Sequence, residues 1–325
     1  GYDSNYFYDI LFQVIENAFT DAGLTQKEIE NTALFLGSTC LEIPVYEEFF
    51  EKGKNINRTL SEAGCNYGQI IEKIAGRFNS KAPSYIFSTA CTSSANGIIY
   101  ASSMIEKGFI ERALVIGYDM FSHIGFYGFE SLKLLSNLPV KPYYQQTDGI
   151  IMGEGCGVLV LDSKKINEES FCYLGGANLC DTSNVTSNDT EGMAISGVIL
   201  NALNNSSLKQ TDITCIKSHS TGTYNNYIAE FNGMKKAFIG KVPPVTALKS
   251  YIGHTVGASG VIEIIILTEC IKQGFIPAAL NFENEALTMG IPLLTGNLKV
   301  TKGNFMFNYF GFGGNCASIV FSNKE

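Results

Sequence analysis

The sequence predicts a layered α/β protein of two similar halves, and three observations support this. Short apolar runs typical of buried strands alternate with stretches in which apolar residues recur at helical spacing. The order of elements in the first half is echoed in the second, and strands that alternate with helices indicate packed layers. The chain has 325 residues, 45% hydrophobic and 17% charged. We place the boundary between residues 162 and 163, and expect closely packed halves because no Pro/Gly/Ser-rich linker separates them.

The first half begins with a helical pattern that stops at Gly23, and a strand–turn–helix unit lies at its centre around Ala90 and Cys91. Helices are predicted over residues 6–22, 67–78 and 92–107, and strands over 32–37, 84–89, 113–117 and 155–161. Residues 38–66 are mixed in character. We predict that they form loops and short helices on the active-site side.

The second half has the same alternation. Its predicted helices cover residues 192–204, 227–238 and 257–273, and its predicted strands cover 215–219, 305–308 and 317–321. The strand over 215–219 ends in a Ser/Thr/Gly turn, and a Gly-rich turn lies between the last two strands. Such turns at strand ends are where α/β proteins commonly place their ligand sites.

Composition excludes several classes of function. The net charge of -8 argues against duplex nucleic acid as a partner, because phosphate binding needs a basic face. No apolar run is long enough for a transmembrane helix, since the longest candidate, residues 261–267, carries Glu263. The N-terminus lacks a basic region followed by an apolar stretch, so no signal peptide is predicted. We therefore expect a cytoplasmic protein without a membrane span.

The cysteines and histidines favour thiol chemistry over metal chemistry. Nine cysteines, an odd number without a Cys-x-x-Cys pair, indicate reduced cytosolic thiols and not a disulfide framework. The three histidines, His123, His219 and His254, do not have zinc-finger or zinc-ribbon spacing. We predict neither a metal nor an organic cofactor.

Cys91 lies at the predicted turn between a strand and a helix, in Ser88-Thr-Ala-Cys-Thr-Ser-Ser. The first turn of a helix has unpaired N–H groups and a positive dipole end, which favour the nucleophilic thiolate. This context predicts a nucleophile with a lowered pKa. By itself it also fits a buried inert cysteine, and we assign that role to the other eight.

Two histidines follow predicted strands and precede Gly- and Thr-containing turns. His219 lies in Lys217-Ser-His-Ser-Thr-Gly-Thr, and His254 in Lys249-Ser-Tyr-Ile-Gly-His-Thr-Val-Gly-Ala-Ser-Gly. Two neutral imidazoles facing one thiolate can donate hydrogen bonds to a thioester carbonyl and stabilise an enolate. A structural role is the alternative for each when taken alone, and it is our interpretation of His123.

Taken together, these segments resemble the β-ketoacyl synthases of the thiolase superfamily, and are similar to 3-oxoacyl-[acyl-carrier-protein] synthase II. Five blocks in the family's order support the resemblance. They are Thr89-Ala-Cys-Thr-Ser-Ser, Asp148-Gly-Ile-Ile-Met-Gly-Glu-Gly, the His219 block, the block from Lys249 to Gly260, and Phe310-Gly-Phe-Gly-Gly. Each block is weak alone, but the ordered set favours Cys91, His219 and His254 as functional residues.

The resemblance implies a decarboxylative Claisen condensation. Cys91 would accept an acyl chain from a carrier-protein thioester, and His219 and His254 would polarise the thioester carbonyl of malonyl-carrier protein as it loses CO₂. The resulting carbanion would attack the acyl-Cys and give a 3-oxoacyl product. Backbone N–H groups of Cys91 and Phe312 would form the oxyanion hole.

Further site residues are also implied by the resemblance. Lys249 would pair with Glu230 and organise the histidines, with a purely structural ion pair as the alternative. Thr221 and Thr223 match positions that bind the phosphopantetheine arm. Phe312, within the Phe310 block, and Phe129 match residues that control acyl entry, although core packing is the stronger alternative for Phe129.

The implied fold is the thiolase-like five-layer α/β/α/β/α sandwich. Its N-terminal half, residues 1–162, would carry the nucleophile, and its C-terminal half, residues 163–325, the two histidines. The active site would lie between them, and two subunits would pair through a central strand as a homodimer or as a heterodimer with a related subunit. The other implied partner is an acyl carrier protein. Its candidate docking residues are Lys52, Lys54, Arg58 and Lys133; an ordinary surface loop is the alternative for the first three.

Some positions depart from the family pattern. Tyr227 follows Asn226 where the family has Asp, and Asn315-Cys316 stands in place of Thr-Asn. Lys141-Pro-Tyr-Tyr-Gln-Gln-Thr-Asp replaces Arg-Pro-Phe-Asp-x-x-Arg-Asp, so Tyr144 and Thr147 replace a charged pair. The part before Lys81 is short compared with full-length relatives. These departures favour a specialised polyketide or polyene pathway over primary fatty acid synthesis.

Three other functions compete with an active condensing enzyme. A chain-length-factor-like partner subunit typically lacks the active cysteine, which this chain keeps. A thiolase or starter-unit enzyme uses a Cys-His-Cys or Cys-His-Asn triad, so the second histidine argues against it. A cysteine hydrolase needs an orienting Asn or Asp beside one histidine, and the sequence does not indicate one.

Overall fold

The computed structural model describes residues 4–51, 68–144, 149–281 and 290–324. A four-stranded sheet frames its first half. The strands are β1 (Ala33–Gly37), β2 (Ser84–Phe87), β3 (Arg112–Asp119) and β4 (Gly155–Asp162), in the spatial order 2-1-3-4. β1 pairs in parallel with β2 and β3, and β4 pairs antiparallel with β3. The parallel strands therefore end at a common edge, from which the chain turns into the site.

A five-stranded sheet frames the second half. Its strands are β5 (Cys172–Cys180), β6 (Cys215–Lys217), β7 (Val245–Thr246), β10 (Asn304–Phe310) and β11 (Asn315–Ser322), in the order 5-11-10-6-7. β11 is antiparallel to both neighbours, whereas β6 runs parallel to β10 and β7. A separate two-stranded antiparallel sheet pairs β8 (Phe275–Ile276) with β9 (Leu298–Lys299).

Helices form three layers around the two sheets. The outer layer of the first sheet contains α1 (Ser4–Asp21), α2 (Gln26–Glu30), α3 (Ile43–Glu51) and α4 (Gln69–Phe78). Between the sheets lie α5 (Ser93–Glu106) and α10 (Ser259–Lys272). The helix α6 (His123–Ser131) follows β3 in the chain. The outer layer of the second sheet contains α7 (Met193–Asn205) and α8 (Tyr224–Ala237), and the short α9 (Lys249–Ile252) precedes His254. This order confirms the predicted five-layer thiolase-like sandwich.

The central layer is tightly packed because small residues face each other across it. A Cβ atom on Gly260, at the start of α10, would lie 2.3 Å from the backbone nitrogen of Ala95 on α5. Apolar residues of both sheets surround these two helices in one core, among them Phe35 of β1 and Phe307 of β10. The two central helices therefore hold the nucleophile turn and the His254 segment in contact.

The predicted elements within the described residues are present, with boundary shifts of a few residues. The strand predicted over 215–219 ends at Lys217, so His219 belongs to the loop after it. β5 and α6 were not predicted, because Gly175 and Gly176 weaken the strand pattern and Gly125 and Gly128 weaken the helix pattern. Division of the chain after residue 162 remains a proposal, which the change of sheet between β4 and β5 supports. None of the described helices is long and apolar enough to cross a membrane.

Candidate active site

Cys91 occupies a sharp turn at the edge of the first sheet. After β2 the backbone adopts a positive φ of 51° at Ala90, and a short 3₁₀ helix, Ala90–Thr92, leads directly into α5. Gly311 packs against this turn so closely that a Cβ there would lie 3.1 Å from the Cys91 nitrogen. The predicted strand–turn–helix unit is confirmed, and it presents a buried sulfur to the space between the two halves.

The electrostatics of Cys91 correct one prediction. Burial raises the pKa of its thiol to about 11, and the positive charge of Lys249 and the backbone N–H groups of Phe312 and Cys91 oppose this rise. The expected lowered pKa was wrong, because removing the thiolate from water outweighs the donors directed at it. Those two N–H groups are the pair predicted to form the oxyanion hole.

His254 contacts the cysteine directly. Its Nε2 atom lies 3.0 Å from the Cys91 sulfur, although the two residues are 163 positions apart. Its Nδ1 atom accepts a hydrogen bond from the Val256 backbone N–H at 3.2 Å and lies 3.3 Å from the Ser259 hydroxyl. An acceptor Nδ1 in a neutral ring places the proton on Nε2. We therefore assign His254 as an Nε2–H donor to the sulfur.

His219 stands beside His254 with both ring nitrogens available. The two rings meet edge to face, with centroids 5.5 Å apart, and the Phe310 ring packs 5.7 Å from His219. Within the described chain, neither buried ring nitrogen of His219 has a hydrogen-bond partner. An unpaired buried imidazole is costly, so this ring is suited to bind a substrate oxygen.

Both imidazoles are held in the neutral form. Burial lowers the pKa of each ring well below 6.5, and the positive charges of Lys249 and Lys217 lower it further. His219 is also affected by His254 itself. Neutral rings can donate one N–H each to a developing oxyanion at physiological pH, as the sequence analysis expected.

The predicted ion pair between Lys249 and Glu230 was wrong. Lys249 pairs with Glu263 on α10, and Lys217 pairs with the other oxygen of the same carboxylate. Glu230 faces a different backbone, accepting N–H bonds from His219 at 2.6 Å and from Ser220 at 3.1 Å. Both acids thus support the histidines, but Glu230 does so by fixing the loop that carries His219.

Sequence reasoning missed Glu263 and Lys217 as site-supporting residues. Glu263 is a charged residue in an apolar helix, and Lys217 lies in a buried three-residue strand. A charge inside an apolar segment is the signal that could have identified each, because such a group requires a buried partner.

A cavity of about 340 Å³ opens above Cys91, His219 and His254. Phe129, Phe310 and Phe312 contribute to its apolar lining, and Thr221 and Thr223 to its polar lining. The Phe129 and Phe312 rings lie 5.4 Å apart. All the predicted gate and pantetheine residues therefore line one cavity, with an aromatic pair formed by the two predicted gate residues.

The departures from the family pattern have structural counterparts. Tyr227 is buried and packs against Tyr143, with ring centroids 4.8 Å apart and ring planes tilted by 35°. Its hydroxyl donates to the Lys141 carbonyl at 3.1 Å. Cys316 is buried and its sulfur accepts a hydrogen bond from the Asn188 amide at 3.3 Å. At the position of the family's Asp, this chain therefore has a tyrosine that packs against a second tyrosine.

Other departures and docking candidates are more peripheral. Tyr144 is half-buried, and the Lys141 ammonium lies 5.1 Å from its ring centroid. At the Asn315 position, the backbone carbonyl accepts a hydrogen bond from the Gly311 N–H. Lys133 is exposed directly after α6, between two cavity-lining leucines. Thr147, Asp148, Lys52, Lys54 and Arg58 lie outside the described residues.

Comparison with protein-family models gives two matches. Residues 5–166 match the N-terminal domain of β-ketoacyl synthases, and residues 173–283 match their C-terminal domain. The chain is also 33% identical over 256 residues to the chloroplastic 3-oxoacyl-[acyl-carrier-protein] synthase II of Arabidopsis thaliana. That alignment covers 74% of this chain and 47% of the plant protein, so the chain spans about half the length of this relative.

Solved structures share the fold. A ketosynthase in complex with its chain length factor from Xenorhabdus doucetiae gives a TM-score of 0.78 at 24% identity, covering 96% of this chain and 78% of that one. A type II polyketide synthase acyl-carrier protein in complex with its hexaketide-bound ketosynthase gives 0.83 at 18% identity, covering 100% and 86%. At these identities the similarity concerns the fold alone.

Proposed function

This chain belongs to the β-ketoacyl synthase family, and from that premise we propose that it is an active condensing enzyme. It would join an acyl group on Cys91 to a malonyl unit on an acyl carrier protein, in fatty acid or specialised polyketide or polyene synthesis. The observation that supports this most directly is the 3.0 Å contact between the Cys91 sulfur and His254 Nε2. A partner subunit without activity has no need of this contact.

The first step is transfer of the acyl group to Cys91. The sulfur attacks the carbonyl carbon of an acyl thioester, the carbon–sulfur bond to the pantetheine arm breaks, and the cysteine proton leaves with the pantetheine thiol. The Cys91 and Phe312 N–H groups stabilise the tetrahedral oxyanion. Burial raises the pKa of the thiol, so the resting cysteine is mainly protonated. The donors around the sulfur would then stabilise the thiolate that forms as the sulfur attacks.

The second step is decarboxylation followed by condensation. His254 Nε2–H and the neutral His219 ring donate to the thioester carbonyl oxygen of the malonyl unit. The carboxylate leaves as CO₂ and its bonding electrons form the enolate. The enolate carbon attacks the acyl-Cys carbonyl, a carbon–carbon bond forms, and Cys91 is released as thiolate. Neutral histidines suit this step because a protonated ring would hold the malonyl carboxylate in place.

The cavity lining suits the substrates of this reaction. Thr221 and Thr223 would bind the phosphopantetheine arm, and Phe129 and Phe312 would admit the acyl chain. Asn226 donates to the Thr221 hydroxyl at 2.7 Å and so fixes its orientation. Lys133 would contribute to carrier-protein docking. We further propose a cytoplasmic location.

Intact-mass spectrometry tests the proposal. The protein is incubated with acyl-carrier protein and then with malonyl-carrier protein, alongside Cys91→Ala and His219→Ala. We expect an acyl adduct on the wild type that malonyl-carrier protein discharges to a chain two carbons longer, and no adduct on Cys91→Ala. His219→Ala should accept the acyl group but fail to discharge it.

The alternative is a chain-length-factor-like partner subunit of a heterodimeric ketosynthase. The fold neighbour from Xenorhabdus, a ketosynthase in complex with its chain length factor, makes this alternative specific. Absence of an adduct with any acyl donor would favour it. Acylation without discharge of the wild type would indicate a missing subunit or a different extender unit.

A further inference from the structure

A buried cluster of charges connects the segments that carry both histidines. Lys217, Lys249 and Glu263 are each at most 2% exposed, and the two lysines bind opposite oxygens of the one carboxylate. Lys217 belongs to β6, two residues before His219, whereas Lys249 begins α9, five residues before His254. The Glu263 carboxylate on α10 therefore fixes one histidine segment relative to the other.

Lys217 makes two further contacts that extend the cluster to a third segment. Its ammonium donates to the Asn308 carbonyl at 2.9 Å and lies 3.6 Å from the centre of the Tyr309 ring. Both partners belong to β10, which leads directly to Phe310 and Phe312 in the cavity lining. The Lys217 side chain thus contacts β10, which leads to the predicted gate, from its own position on the strand before His219. Through Glu263 it is also linked to Lys249 and the segment that carries His254.

We propose that Lys217 is a positioning residue for the condensation step. It would hold the two histidines and the Phe312 turn in one geometry, in addition to the Lys249–Glu263 pair. This inference rests on the proposed function for its kinetic test, but its electrostatic consequence can be measured without turnover. Burying a charged lysine costs stability unless its interactions compensate. Glu263 already has an ion-pair partner in Lys249, so Lys217 is not required to neutralise the Glu263 charge.

The charge of Lys217 gives this role a measurable signature. Burial lowers the pKa of Lys217 itself, while the Glu263 carboxylate favours its charged form. The Lys217 charge in turn contributes to lowering the pKa of both His219 and His254. Removing it should raise both values, whereas a lysine whose charge does not reach the rings would leave them unchanged. The other titratable groups facing these rings are Lys249, the Cys91 thiol at His254 Nε2 and, at the His219 backbone, Glu230, and the two imidazoles also face each other.

The kinetic test compares Lys217→Met, Lys217→Arg and the surface control Lys235→Met. Lys217→Met leaves Glu263 paired with Lys249 and should fold, which thermal denaturation verifies. We expect its kcat for condensation to fall at least about tenfold with little change in KM for the acyl donor, because small displacements of catalytic groups cost this much. The acid limb of its pH–rate profile should move to higher pH. Lys217→Arg should recover part of the rate, and Lys235→Met should match the wild type.

The second measurement uses the ring signals of the three histidines in isotope-labelled protein, with His123 as the reference outside the site. In Lys217→Met, protonated-ring signals of His219 and His254 should appear at higher pH than in the wild type. Identical pH dependence together with a wild-type kcat would overturn the proposal. If the wild type accepts no acyl group, the proposed function fails, and the ring signals alone then decide whether Lys217 acts on the histidines. If Lys217→Met does not fold, Lys217→Arg and Lys217→Gln take its place in both measurements.

Discussion

At the residue scale, the chemistry depends on which atoms carry protons. The Val256 N–H donates to His254 Nδ1, so the proton on Nε2 faces the Cys91 sulfur. A donor at this position stabilises thiolate but cannot accept the thiol proton in the same tautomer. His254 therefore acts on Cys91 as a hydrogen-bond donor, and not as the general base of a cysteine hydrolase.

The raised pKa of Cys91 leads to a prediction about its reactivity. Only the thiolate reacts with iodoacetamide, and far below a pKa of about 11 its fraction rises about tenfold for each pH unit. Alkylation of the Cys91 peptide should therefore accelerate by about this factor per unit between pH 7 and 9. Mass spectrometry of the digested protein measures the rate, and Cys91→Ala identifies the peptide. A rate that does not increase above pH 7 would support the lowered pKa of the sequence prediction instead.

At the scale of secondary structure, Asp119 at the end of β3 joins the loops around the site. Its carboxylate, 2% exposed, accepts hydrogen bonds from Ser38, Thr39 and Cys40 after β1, and from the Gly257 N–H at 2.7 Å. Gly257 lies in the turn that follows His254. One carboxylate therefore anchors the edge of the first sheet to the turn before α10, and Gly257 in that turn lies 138 positions from Asp119.

Replacing Asp119 should weaken the fold. Asp119→Ala leaves a buried hydroxyl and several backbone N–H groups without an acceptor, which should lower the free energy of unfolding by roughly 3 kcal/mol. Urea denaturation followed by circular dichroism measures the change. The exposed Asp9→Ala on α1 is the control and should stay within about 0.5 kcal/mol of the wild type. An equal stability of Asp119→Ala and the wild type would mean that these loops are held by other contacts.

At the scale of the whole molecule, the edge of the first sheet is the candidate for subunit pairing. β2 is the terminal strand of that sheet, and Tyr85 and Phe87 on it pack against Tyr100 of α5 at ring distances of 5.8 and 5.7 Å. Tyr100 is 49% exposed. Open strand edges beside exposed aromatic groups favour association, so we expect the predicted subunit pairing to use this edge.

Sedimentation equilibrium tests that pairing. We expect the 35.4 kDa chain to form a dimer, and Tyr100→Asp to shift it toward the monomer by placing a charge at the interface. Ile239→Asp, at a position 83% exposed after α8, should leave the dimer intact. A wild-type monomer at all concentrations would contradict the homodimer and favour pairing with a related subunit.

The amino-acid sequence by itself predicted most of the strands and helices and, through the ordered family motifs, singled out Cys91, His219 and His254. The strands and helices depend on local periodicity and turn chemistry, and the three residues on short motifs that occur in a fixed order along the chain. The family resemblance implied Thr221 and Phe312 as further site residues, and both line the cavity.

Only the tertiary structure decided how those groups are charged and which residues hold them. The raised pKa of Cys91 and the pairing of Lys249 with Glu263 depend on burial and on contacts between distant segments, as does the cluster of Lys217 with Glu263, 46 residues away. Desolvation and Coulomb interactions follow distance in space and not separation in sequence. For that reason, the ordered motifs indicated Cys91 and both histidines, but the sequence assigned the wrong carboxylate to Lys249 and the wrong direction to the pKa of Cys91.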